Sequence, residues 1–317
     1  MSEAHRAPAE AGAQGPTRLV RDSGLLLSQE HGSFTDFIAI DWSGQAVARP
    51  KGLAVAQARA GSSAPVLVDR NWSRQDVLEW LGQLANNGTR ALIGLDLSPA
   101  FPFEDEGAYF SGWDASPPDG PALWQLVDEL SAGDPHLAAT SFVNHPDARR
   151  HFRQRGDCGD LFPPGRGRFR VCEHGQEAMR LSPYSCFNLV GASQVGKSSL
   201  TGMRVLHRLR GTIGLWPFDP LPERGPVLVE IYTSLAARLA GMRKGISKIR
   251  DAATLDAMLA AFGSEPHRSL ARYDDHATDA MLSAAWLRVA AAQPGLWSPA
   301  RLTPHLARTE GWTFGVP

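Results

Sequence analysis

Cysteine is scarce in this chain, charge of one sign is not in excess, and long apolar runs are missing. The three cysteines, Cys158, Cys172 and Cys186, lie fourteen residues apart. That is neither a CxxC pair nor a zinc spacing. An odd count without a disulfide framework fits a reducing compartment, so a cytoplasmic protein is expected. Lysine plus arginine number 32 against 33 acidic residues, a net charge of −1. No global polycation exists for nucleic acid, and such a partner has to be met by a local basic patch. There is no apolar run of about 18 residues and no apolar leader segment, so neither a membrane span nor export is expected. What remains is 317 residues, 43% hydrophobic and 21% charged. That is an ordinary globular composition, long enough for one large domain or two small ones.

The most informative stretch is Phe37-Ile38-Ala39-Ile40-Asp41-Trp42-Ser43-Gly44. A continuous apolar run reads as a strand buried on both faces, and Asp41 stands at its carboxyl end, where open α/β sheets bind ligands. Ala91-Leu92-Ile93-Gly94-Leu95-Asp96 repeats the pattern. A core strand has little use for a charge, although an aspartate can also cap the turn after its strand. Pro226-Val227-Leu228-Val229-Glu230 is a third run ending in an acid.

Residues 1–34, rich in Ala, Gly, Glu, Pro and Ser, read as a disordered tail ahead of one domain over 35–317. Strands are expected at 37–41, 52–58 and 65–69, then a helix capped by Ser73, then the strand ending at Asp96. Residues of about 99–210 read as a large insertion after the fourth strand, with one clear helix from Pro121 to Leu130. Within it Arg149, Arg150, Arg153, Arg155, Arg166, Arg168 and Arg170 are interleaved with aromatic residues, which suits either phosphate contact or a solvated loop. Helices are expected at 234–243, 252–262 and 274–292. Asp275 and Asp279 share one face of the last of these. Residues 293–317 read as a tail wrapped on the surface.

Gly191-Ala192-Ser193-Gln194-Val195-Gly196-Lys197-Ser198 matches the phosphate-loop pattern GxxxxGK[ST]. A nucleotide-binding ATPase is therefore an alternative, with Lys197 on phosphate and Ser198 on magnesium. The segment before it, Phe187-Asn188-Leu189-Val190, makes a weak strand, so the glycines also fit a plain helix start.

The constellation Asp41, Asp96, Glu230 and Asp275/Asp279 resembles the ribonuclease-H-like fold, an α/β mixed sheet flanked by helices. The order of Ala39–Gly44, Ile93–Ser98, Ser193–Leu200, Leu215–Asp219, Val229–Tyr232 and Asp275–Ala280 is similar to that of a family of predicted nucleases with this fold. In that family Glu230 is followed by Tyr or His and then proline; here Thr233 takes the proline place. The resemblance implies a metal-dependent nuclease that hydrolyses nucleic acid, DNA or RNA. Its catalytic residues are Asp41, Asp96, Glu230 and Asp279. Magnesium or manganese is held by these acids and Asp275. Lys197, Ser198, Arg166, Arg168 and Arg170 are the implied substrate contacts. A non-catalytic binding protein that keeps the fold is the other alternative.

Overall fold

The computed structural model describes residues 33–191, 194–242 and 248–317. The expected N-terminal tail lies outside the described residues up to 32; Phe34 already packs on the Trp297 ring, with centroids 6.1 Å apart. The molecule is α/β, with one six-stranded mixed sheet flanked by helices.

The sheet strands are β1 (Asp36–Asp41), β2 (Ala54–Arg59), β3 (Val66–Leu67), β4 (Ala91–Leu95), β7 (Gly214–Trp216) and β8 (Val227–Glu230), in the order β3-β2-β1-β4-β8-β7. β5 (Arg153–Gln154) and β6 (Asp157–Cys158) form a separate small hairpin. β1, β2 and β3 pair antiparallel, as a meander. β1, β4, β8 and β7 run parallel. These parallel strands are apolar throughout because both faces are covered.

Two cores follow from the period-two alternation of the strands. Ile38, Ile40, Ile93, Leu95 and Leu228 face α1 (Arg74–Asn86), α2 (Gly120–Leu130) and α5 (Val195–Leu209). Between α2 and α5 the chain also forms α3 (Thr140–Asn144) and α4 (Val171–Ala178). Phe37, Ala39, Leu92, Val227 and Val229 face the other layer, which holds α6 (Thr233–Leu239), α7 (Ala252–Ala260) and α8 (Asp275–Ala290). Gly94 lets α8 approach β4: a Cβ there would meet Leu287 at 3.0 Å and Ile231 at 2.6 Å. The Ser73 cap of α1 is a complete capping box with Asp76.

Two expectations are corrected. The stretch 99–210 is not all outside the core, since its last helix, α5, lies in the sheet-covering layer with Leu200, Met203 and Leu206 buried. Residues 293–317 are not a surface wrap. After α9 (Pro294–Trp297) and α10 (Pro304–Thr309), Trp312, Phe314 and Val316 are buried in the second core. Apolar residues at every second position pay the ordering cost of such a tail only if buried.

Candidate active site

Register decides which acids meet. Ile40 pairs with Leu95, and Leu95 with Glu230. Asp41 and Asp96 each stand one residue beyond their pair, so both emerge on the α8 face. Glu230 is in register with Leu95 and emerges on the opposite face. α8 is started by its Asp274 cap, which accepts from the Ala277 amide. Its first two turns then bring Asp275, His276 and Asp279 to the strand ends.

A cavity of about 570 Å³ opens there, with Asp41, Asp96, Asp279, His276, Lys197 and Ser198 among its walls. Asp41 is 8% exposed and lies 2.7 Å from His276 Nδ1 through Oδ2. Burial raises the Asp41 carboxyl, and the His276 contact offsets part of that rise. Asp96 accepts from the Thr233 hydroxyl at 3.3 Å. It is pushed well above the usual carboxylate range by burial and then by the negative charges of Asp41 and Asp279. Asp279 is pushed up to about 7, first by burial, then by Asp41 and Asp275. Three carboxylates therefore share one cavity and oppose one another's ionisation. The contact with Asp41 raises His276 above its ordinary value.

Asp275 borders the cavity but is committed to Lys248 and Arg250, at 2.6 and 2.7 Å. Burial works against its ionisation, and hydrogen bonds from those two cations outweigh it, holding the carboxyl below its usual range.

Glu230 and Arg170 border the same cavity as the three aspartates, but they are bonded to each other there. The buried Arg170 guanidinium donates to both Glu230 oxygens, at 2.8 and 2.6 Å, and to Glu173 at 3.1 Å. Thr313 adds a hydroxyl donor to Glu230 at 2.7 Å. Each charge is satisfied by the other, leaving neither for a metal or a phosphate. Arg168 is likewise buried, bonded to Asp105 and to the carbonyls of Pro102, Ala108 and Tyr109. Arg166 is exposed but pairs with Glu177 and lies over the Phe169 ring. Arg149 and Arg150 pair with Asp157 and Asp160, so with Arg166, Arg168 and Arg170 these five arginines are held by acids and carbonyls rather than left for a phosphate.

Lys197 and Ser198 do reach the cavity. α5 crosses the end of β1 so closely that a Cβ on Gly44 would sit 2.3 Å from the Lys197 carbonyl carbon. Trp42 Nε1 donates to Thr201 at 3.0 Å, and Ser198 Oγ donates to the Trp42 carbonyl at 3.4 Å. Lys197 is exposed and has no acidic partner among the described residues. The segment before α5 is not a strand of the sheet: Asn188 makes only an isolated bridge to Arg153. A phosphate loop lacks its strand here. Ala192 and Ser193 of that motif lie outside the described residues.

Two residues escaped the sequence reading. His276 is three residues before Asp279 and so shares its helix face, a signal that was present. Arg74, 1% exposed, donates to the carbonyls of Ser43, Gln45 and His136 at 2.8–2.9 Å. It holds the loop after β1 against the cavity, and nothing in its sequence neighbourhood announces that.

Among the described residues no group of three His, Cys, Asp or Glu side chains stands in a ready-made metal-ion arrangement. The donor chemistry nevertheless suits a hard divalent cation: three carboxylates to which, among the described residues, no Lys or Arg is bonded, with His276 as a partner of Asp41. No protein-family model, no curated protein and no solved structure matches the chain.

Proposed function

We propose that the protein is a metal-dependent phosphodiesterase acting on nucleic acid, built on a ribonuclease-H-like core. One observation carries this reading: Asp41, Asp96 and Asp279 come from two strand ends and a helix 238 residues downstream of the first, yet line one cavity and raise one another's pKa. A capping aspartate does not need two more for company, whereas a cation site does. The antiparallel meander continued by parallel strands supports the fold assignment.

The three aspartates would hold magnesium or manganese. When bound, that ion supplies an activated water and charge neutralisation at the phosphate. The rest is the work of this chain. His276 orients the Asp41 carboxylate through Nδ1. Thr233, in the place of the family's proline, starts α6 and steadies Asp96. Lys197 offers a cation to a phosphate oxygen from the wall opposite α8.

The test combines melting and cleavage. Manganese at about 100 times its Kd should stabilise the wild type by about 2.7 kcal/mol, and the same ion should support cleavage of a labelled oligonucleotide. Asp41→Asn should lose both responses. A wild-type melting temperature indifferent to manganese and magnesium, with no cleavage, would reject the reading.

A further inference from the structure

Three cavities adjoin at the aspartate centre. The central one shares Gly44, Gln45, Gln194 and Lys197 with a second of about 660 Å³. It shares His276 with a third of about 530 Å³ on the other side. The first shared wall is fixed, because Gly44 lies against the α5 backbone without room for a Cβ. The third cavity is fixed on its near side too, since Gly52 packs on the His276 ring, where a Cβ would come within 2.9 Å.

The two flanks differ in chemistry. The third cavity carries Lys51, Arg70, Arg268 and Arg272 against Asp69 and Asp274. Arg70 is committed to Asp76, and Arg272 stands 3.8 Å from Asp274. Lys51 and Arg268 have no acidic partner among the described residues, so this flank is net basic and open to an anion. Among the described residues the second cavity has no acid in its lining; beside Arg155 and the shared Lys197 it is lined by the neutral polar Thr140, Asn144 and Gln154 and the apolar Val143 and Leu189. Amides and hydroxyls beside apolar side chains suit the edge and face of an unpaired base. A basic flank suits backbone phosphates.

A mononucleotide would use one of these cavities, each of which is already in the size range of a small-ligand site. A duplex keeps its Watson–Crick edges paired and its bases stacked, so it cannot insert one into a cavity. A strand with unpaired bases can use all three. We propose that the substrate is a single-stranded nucleic acid running through the three cavities, its phosphates on Lys51, Arg268 and Arg272 and an unpaired base against Thr140, Asn144 and Gln154. The centre of this track rests on the phosphodiesterase reading; its two flanks are tested by binding alone.

The experiment is fluorescence anisotropy with the full chain in millimolar calcium, using a labelled strand of about ten nucleotides and the duplex of the same sequence. The strand should bind at least about tenfold tighter than the duplex. Arg268→Glu with Arg272→Glu should weaken strand binding about tenfold or more and flatten the salt dependence by about 1.4, two phosphates at ~0.7 each. Thr140→Trp, which fills the neutral flank, should weaken the strand several-fold. All three positions are exposed, and a melting curve checks that each variant is folded. Equal binding of duplex and strand, no strand binding at all, or a Kd unmoved by these folded variants would overturn the proposal. The enzyme reading is judged separately, on manganese-dependent hydrolysis of bis-nitrophenyl phosphate by the wild type. That diester is too small to need either flank. Its survival intact, beside flank-dependent strand binding, would remove the enzyme and leave the track.

Discussion

Asp279 has the most to gain from a cation. It makes no hydrogen bond to the described residues, and its carboxyl is lifted from 3.8 to about 7 by burial and by Asp41 and Asp275. The folded state therefore binds a proton that the unfolded chain has already released between about pH 4 and 7. Stability falls as pH rises through that window, because the native state carries more protons there. Below pH 4 both states are protonated and the effect vanishes. Replacing the acid with an uncharged isostere removes the penalty. In EDTA, Asp279→Asn should match the wild type near pH 3.5 and exceed it near pH 8 by about 1–2 kcal/mol, a fraction of the full shift at ~1.4 kcal/mol per pH unit, since the side chain is part-exposed. Urea unfolding of both proteins at the two pH values checks this. Parallel curves would mean that Asp279 ionises like a surface acid and the cluster has no hold on it.

At the level of elements, the loop after β1 is the least visible and most constrained part of the site. Arg74, at the start of α1, closes it by donating to three backbone carbonyls, while Gly44 lies flat on α5. Removing the guanidinium leaves buried acceptors short of donors, which costs about 2–4 kcal/mol. Arg74→Met should lose that much stability. It should also lose oligonucleotide cleavage well below its melting temperature, because Gln45 and Lys197 share the wall that the loop supports. If stability falls and the cleavage rate does not, the contact between Gly44 and α5 is holding the loop alone. Much of this architecture could be read from residues in order. β1 and β4 announced themselves as apolar runs, and Asp41 and Asp96 as charges with no business inside a sheet. Glu230 obeyed the same rule and reached the same cavity, where it is bonded to Arg170 instead of standing among the aspartates. A strand apolar on both faces conceals which way its last side chain points, and register alone sets that. Arg166, Arg168 and Arg170 looked like a phosphate patch for a related reason: a list of cations does not say which acids they already hold. The tail was misread although Trp312, Phe314 and Val316 alternate as an inward-facing strand would, because its Pro and Gly content outweighed three residues of pattern.

Across the whole molecule, one charge network closes the fold and another opens the site, and both border the same cavity. The closing network centres on Arg170 and Glu230 and reaches the chain's end. Glu310 accepts from the amides of Phe103, Glu104 and Val171, its carbonyl accepts from Arg170, and Phe314 donates its amide to the Glu230 carbonyl. Strand β8, the segment before α4 and the C-terminal residues are thereby joined. Every acid in it has a donor, so removing one strands its partners in a dry interior, which costs about 3–5 kcal/mol. The opening network of Asp41, Asp96 and Asp279 is the reverse: each acid is worse off for the others, so removing one relieves the rest. Neutral isosteres in the two networks should therefore shift stability in opposite directions in metal-free buffer at pH 8. Glu230→Gln should lose about 3 kcal/mol or more, while Asp96→Asn, which keeps an acceptor for Thr233, should be unchanged or more stable. Manganese should raise the melting temperature of Glu230→Gln as it does that of the wild type and leave Asp96→Asn unmoved. Denaturant curves with and without the ion read both halves. Loss of stability in both variants would make Asp96 a turn cap, and loss of the manganese response in Glu230→Gln would make Glu230 a ligand despite its bonds to Arg170.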